Sequence, residues 1–329
     1  MADDQTLYAT VTNTTGIVSV NVDEDFSQPT RSGLVECDST TLDLGDYVEV
    51  DIGYVGNHDI VLKGYVMQIE SSRSGEGKTK SIRIRDQLWR AMAYFIASSD
   101  PDDPLEYNNI AAESLVAAML ELAGITTYSL SSPGFTFAPE EPLEVQLMSS
   151  WDMIAKVCQL LAWHCYDDDG TVKFTDRKPY PVGGDSPVHT FVTGASGEIV
   201  SISPLSKSSD KIRNRVVVYG PEGVHAEASA SSPFLPSGFY KAEVISAPNL
   251  IDTTAQAQDI ADYNLDLLNR LELTLNMTVV GVPGLRARDI VTVTESETGV
   301  SGDWLAYSLR HEFSDKYTQT MTLVQRQVS

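Results

Sequence analysis

The sequence predicts an α+β chain that is mainly β, with two small antiparallel β modules flanking a helical middle. Two observations carry this. From Leu273 to Gln325, four runs alternate apolar and polar residues, the period of half-buried strands, and the turns between them hold Pro283-Gly284, Gly299 and Gly302, and Ser314-Asp315-Lys316. Such a meander has enough strands to close into a small barrel. The second observation is that residues 45–85 repeat the order. Gly45-Asp46 precedes Tyr47–Val50 as Arg288-Asp289 precedes Ile290–Val293, and Lys63-Gly64-Tyr65-Val66 answers Leu305-Ala306-Tyr307-Ser308. The outgoing strands are Lys80–Arg85 and Gln319–Val324. An internal duplication accounts for this; so does chance likeness between two meanders, and pattern alone does not separate them.

In chain order, Tyr8–Thr12, Ile17–Val22 and Ser32–Cys37 read as strands of the first module, whose tip Ser71–Lys78 is flexible by composition. Ser98–Pro104 (SSDPDDP) breaks both helix and strand and marks a boundary. A helix follows from about Asn109 to Ala123, with Ile110, Leu115, Ala118, Met119 and Leu122 on one face and Gly124 as C-cap. After the Pro-rich stretch Ser132–Pro142, a second helix starts at Ser149 or Ser150 with Asp152 in its first turn. His164–Tyr166 and Thr171–Phe174 form a hairpin around Asp167-Asp168-Asp169-Gly170. Arg213–Gly220 opens the second module, and a third helix runs from Thr254 to about Glu272. The expected domains are 1–95, 96–204 and 205–329, the last with a loop and helix inserted at about 221–272.

Composition narrows the function. A formal charge of −23 argues against a nucleic-acid ligand, since phosphate binding needs clustered Lys and Arg. Solubility, adaptation to salt, or a surface past which a polyanion slides without sticking all remain open. Three scattered cysteines, Cys37, Cys158 and Cys165, do not suggest a disulfide framework, and a reducing cytosol is the expected site of synthesis. No apolar run spans a bilayer, and the first residues lack a signal peptide's pattern.

Catalytic and metal signals are weak. Cys158, His164 and Cys165 lack the paired spacing of a zinc site. Asp167–Gly170 lacks the alternating ligands and closing glutamate of a calcium loop and reads as a solvated turn. No nucleophile elbow or phosphate loop is present, and the 46 acidic residues supply many accidental carboxylate pairs. No enzyme activity, cofactor or metal is expected.

The order of these elements, from Gly45-Asp46-x-Val-x-Val through the strand Asn214–Gly220 and the Ala-rich helix to Val282-Pro283-Gly284-Leu285-Arg286-Ala287-Arg288-Asp289, resembles the central hub proteins of phage tail baseplates and the first part of type VI secretion spike proteins. The likeness covers roughly Leu7–Arg326, and its specificity lies in the order rather than in any one motif. One departure is Arg288-Asp289, where that family often has Gly-Asp.

The resemblance implies two barrel-like tube domains related by pseudo-symmetry, and a homotrimeric ring joining a sixfold tail tube to a central spike. Other baseplate proteins and the tape-measure protein would be further partners. DNA would pass an acidic lumen without specific binding. The protein would be assembled in the host cytoplasm and sit in the virion tail. The site residues it implies are the turns of the duplicated module: Gly45, Asp46, Gly64, Pro283, Gly284 and Asp289. Contact loops would be Ser71–Lys78, Gly299–Asp303 and Ser314–Lys316, which are equally ordinary solvent loops. A hub of a secretion or bacteriocin particle is the nearest alternative; a cell-wall or carbohydrate-active β protein is the alternative from another class.

Overall fold

The computed structural model describes residues 6–74, 77–97, 104–138, 142–193, 197–247, 250–295 and 299–328. The expected boundary at Ser98–Pro104, except its last residue, and the centre of the Ser71–Lys78 tip lie outside the described residues.

The first unit is built from β1 (Leu7–Val11), β2 (Thr14–Asp25), β3 (Ser32–Thr40), β4 (Tyr47–Tyr54), β5 (Asn57–Ser74) and β6 (Gly77–Arg85). Alternation turns Val48, Val50 and Ile52 of β4 and Ile82 and Ile84 of β6 inward, where they join Val20, Val22 and Val35 in one core. A short helix α1 (Trp89–Ala93) leads to α2 (Ala112–Leu122) and α3 (Ser150–Leu161). Ser149 caps α3: its Oγ accepts from Asp152 N at 3.0 Å, and Asp152 Oδ2 accepts from Ser149 N at 2.9 Å. Ser149→Ala is expected to cost about 1 kcal/mol, read as a lower urea midpoint at unchanged slope.

After α3 come the hairpin β7 (His164–Asp168) and β8 (Thr171–Thr175), then β9 (His189–Val192), β10 (Ile199–Ile202) and β11 (Ser206–Ser208). Next are β12 (Arg215–Tyr219), β13 (His225–Ser229), β14 (Ala242–Ser246) and α4 (Thr254–Leu268). The chain closes with β15 (Arg270–Val280), β16 (Ile290–Thr294), β17 (Ser301–Phe313) and β18 (Tyr317–Val328).

Three sequence expectations are corrected. The helix expected from Asn109 starts at Ala112, because Asn109 has φ +48° and Ile110–Ala111 pair with Thr136–Phe137. The helix expected to reach Glu272 stops at Leu268, because Arg270 already pairs with Val328. The strand Arg215–Tyr219 does not open the second β unit: it is the centre of a separate sheet, β13-β12-β14. Its Val216 and Val218 share a core with α2, α3 and α4.

The two β units also do not form separate closed barrels. One 13-stranded sheet runs β1-β4-β5-β6-β3-β2-β17-β18-β15-β10, with β16 on β17, β9 on β16 and β11 on β15. The fusion follows from the length of β17. Its first part, Ser301–Leu305, pairs with β16, and its last part, Ser308–Phe313, pairs with β2 on the same edge. An edge that would otherwise stay open is thereby satisfied inside the chain. In the first unit β1 and β2 follow one another through a tight turn without a ladder between them. In the second, β9 and β10 are likewise consecutive and unpaired, and His189 Nε2 meets Glu198 Oε2 across that gap at 2.5 Å. Neither unit closes among the described residues.

Candidate functional site

The turns singled out from the sequence have the same local geometry in both units. Asp46 Oδ2 accepts from Asp43 N at 2.8 Å, and Asp289 Oδ2 accepts from Arg286 N at 2.8 Å. Gly45 N donates to Val66 O at 2.9 Å and Arg288 N to Ala306 O at 2.7 Å; Val66 N returns to Asp46 O and Ala306 N to Asp289 O, both at 2.9 Å. Each arrangement is followed by a β-bulge one residue later, at Met67 and at Tyr307. These bonds match Tyr65 with Leu305, so the sequence pairing of Tyr65 with Tyr307 was two residues out of step.

Gly45 (φ +84°) and Arg288 (φ +83°) occupy the same left-handed position. Glycine takes it without strain; arginine does not. Arg288 is held there by its side chain, which lies 4.1 Å over Tyr166 and 5.3 Å over Phe26 and donates to Asp25 O and Phe26 O at 3.3 Å. Residues from the first unit, the middle hairpin and the second unit therefore meet on one guanidinium.

Around it is a cluster of charges, buried at Arg31, Glu24 and Asp167 and reaching the surface at Asp59 and Asp169. Arg31, in the β2–β3 connection end of the first unit, donates to Asp169 Oδ1 at 2.9 Å and Asp167 Oδ1 at 3.1 Å, and lies 3.5 Å from Glu24 Oε1. Glu24 Oε2 accepts from Ala287 N of the second unit at 3.1 Å. Arg286 reaches Asp59 Oδ2 at 3.2 Å, Asp169 Oδ2 at 3.7 Å, and the Ile60 carbonyl. Asp167 also accepts from Gln87 at 2.8 Å. The Asp167–Gly170 turn, expected to be solvated, is thus pinned by arginines of both β units, and Asp167 is only 4% exposed. Among the described residues no group of His, Cys, Asp and Glu is arranged to hold a metal ion.

Burial and charge oppose one another here. Burial alone would lower the Arg31 pKa, but Glu24, Asp169, Asp167 and Asp86 outweigh it and hold the guanidinium charged. Burial, helped by Asp167, pushes Asp86 up to about 7, although Arg31 N and Leu88 N donate to it at 2.6 and 3.1 Å. Burial, with Arg286 and Arg31 nearby, lowers His311 to about 3. That histidine is therefore neutral, and its 3.9 Å approach to Glu24 is not an ion pair. Its Nδ1 meets Tyr317 Oη at 2.8 Å.

The folded state keeps a proton on Asp86 that the unfolded chain loses above the ordinary carboxylate range. Asp86 therefore removes stability as pH rises from about 4 to about 7. Asp86→Asn is expected to abolish that component, seen by comparing urea midpoints of the two proteins at pH 5 and pH 8. His311 acts with opposite sign, losing stability as pH falls from about 6.5 towards 3.

The structure brings some sequence-predicted residues together and not others. Gly284 lies beside Asp59, with room for a Cβ only 3.2 Å from its Oδ2, and Asp289 organises the loop carrying Arg286 and Arg288. Pro283 lies in that same loop. Gly64 packs against Arg85, and Gly45-Asp46 hold the matching turn in the first unit. The Ser314–Lys316 turn is carried by Phe313 and Tyr317, whose rings sit in the first unit's core. Of the Gly299–Asp303 loop, Val300 is buried and Ser301–Asp303 belong to β17. Sequence reasoning passed over Arg31 and Asp86, read Asp167 and Asp169 as a solvated turn, and noted Arg286 and Arg288 only as part of a turn motif.

Taken as a whole chain, this is the fold of phage tail proteins and of type VI spike-related proteins. A tail protein from Neisseria meningitidis MC58 superposes with a TM-score of 0.68 at 16% identity, over 97% of this chain and 96% of the other. A 43 kDa tail protein of prophage MuSo2 from Shewanella oneidensis gives 0.66 at 13% identity, over 98% of each chain. A type VI secretion system component from E. coli gives 0.58 at 10% identity, over 96% of this chain and 76% of that one. No family model and no curated protein matches the sequence. Among the described residues, no helix is long and apolar enough to cross a membrane.

Proposed function

We propose that this chain is the structural hub of a phage tail baseplate, a trimeric ring that joins the sixfold tail tube to a central spike and lets DNA pass. The observation that carries it is the end-to-end match to solved tail proteins. The repeated turn, bulge and strand order support a duplicated tube unit, two per chain. In this reading residues 1–95 and the second β unit form the ring. The middle domain lies outside it and includes β12–β14 and α4, which share its core. The role is architectural rather than enzymatic, exercised in the virion tail. The buried charges hold three units of one chain in a fixed relation, and the −23 charge suits a lumen that must not retain DNA. The hub of a phage-tail-like secretion particle is the second reading, favoured by the E. coli likeness.

Light scattering on the purified protein, alone and mixed with the product of the adjacent gene, tests this. A trimer, or a three-to-three complex with its neighbour, is the expected mass. A monomer that ignores the neighbour overturns the proposal.

A further inference from the structure

The joint between the two units within one chain has a vacant counterpart at each end of the sheet. In the second unit, the half of β17 beyond its bulge, Ser308–Phe313, pairs antiparallel with β2 of the first unit. In the first unit, the matching half of β5, Gln68–Arg73, pairs with β6 on one side only; its other edge is open among the described residues. The partner it lacks is the second unit's equivalent of β2. That is the segment Ile202–Ser208 of β10 and β11, which borders β15 and has no strand paired on its outer side among the described residues. Exposed apolar side chains flank or line these edges: Met67 at 36% and Val200 at 62% just before them, and Leu205 at 36% within the second.

The two vacant edges belong to opposite ends of the sheet and do not pair with each other within the chain. We propose that a second copy of this chain joins them, with Gln68–Arg73 of one pairing antiparallel to Ile202–Lys207 of the next, reproducing the joint already present inside each chain. This rests on the ring reading above and supplies its contact. Head-to-tail pairing of unlike edges makes a ring where the rotation closes and a filament where it does not, and edge pairing is a known mode of strand addition. Glu70 on one edge and Lys207 on the other add opposite charges in a chain where acids outnumber bases by 46 to 23.

The register follows from the repeat. The bulges equate Met67 with Tyr307, hence Arg73 with Phe313 and Ser72 with Glu312. On the other edge, Gly33 opposite Ile84 matches Leu275 opposite Leu323, which equates Val35 with Met277. Ile202, opposite Met277, then stands where Val20 stands opposite Val35. Val20 faces Phe313 and Asn21 faces Glu312. Across the proposed contact, Ile202 therefore faces Arg73 and Ser203 faces Ser72.

Facing residues of an antiparallel pair have Cα atoms about 4.5–5.5 Å apart, within the span of a disulfide. The test is the double variant Ser72→Cys, Ser203→Cys, oxidised with diamide and run on a non-reducing gel beside both single variants and the wild type. The expected result is a ladder of multiples of the chain mass that ends at three and occurs only in the double variant. Light scattering of the wild type at the same concentrations separates the two failures. A trimer whose double variant does not cross-link overturns this pairing and leaves the ring. A monomer at every concentration, with no cross-link, overturns both.

Discussion

Replacing Arg31 with alanine lowers stability by about 3–5 kcal/mol, the loss expected when one partner is removed from a buried ion pair. The cost lies in what remains. The side chains of Glu24 and Asp167 are 2% and 0% exposed, and without the guanidinium two carboxylates are left in the interior facing no cation of comparable closeness. Arg31→Met, which restores most of the volume, is expected to fare little better, because lost packing is the smaller part. Adding Glu24→Gln and Asp167→Asn to Arg31→Met removes the stranded charges and recovers most of the loss. Urea unfolding of the four proteins reads this out; a deficit below about 1 kcal/mol for Arg31→Ala would show that the cluster does not hold the three units together.

Gly64→Ala is expected to cost about 3 kcal/mol, at the upper end for an added methyl group in a packed site. A Cβ at Gly64 would sit 2.2 Å from the Arg85 carbonyl oxygen and 2.6 Å from its carbon. Both are backbone atoms, so no rotamer change relieves the clash; β5 must move off the β6–Asp86 segment, whose amide nitrogen is also only 3.1 Å away. Gly45→Ala is the contrast. Nothing lies within 4 Å of its Cβ, and only the positive φ of +84° is strained, for about 1 kcal/mol. Thermal unfolding of both variants distinguishes them: equal losses would mean that the Gly64 contact relaxes.

Much of the fold was legible because the signals were local. Alternation marked β4, β6, β15 and β18, and Ser149 with Asp152 marked the start of α3. The repeated strand order was also legible, although its register depended on a bulge at Tyr307 that no residue pattern announces. Continuity of the sheet was not legible, since it depends on which edge of β17 faces β2 once the chain is folded. The charge cluster was hidden for a related reason. Its carboxylates were lost among 46 acids, and Arg31 and Asp169 lie 138 residues apart. The scarcer arginines were the better signal. Arg288, standing where its counterpart is a glycine, was the one residue whose oddity could be seen, and it marks the junction.

The placement of Phe313 and Tyr317 in the first unit's core has a consequence for synthesis. Strands β1–β6 leave the ribosome early, yet two of the rings that fill their core, and the β17 strand that covers the β2 edge, come from residues 301–317, far later in the chain. Until then the first unit has an incomplete interior and an unpaired flank, the kind of surface on which partly made chains associate. A nascent chain stalled before residue 313 is therefore expected to hold a first unit that lacks two of its core rings.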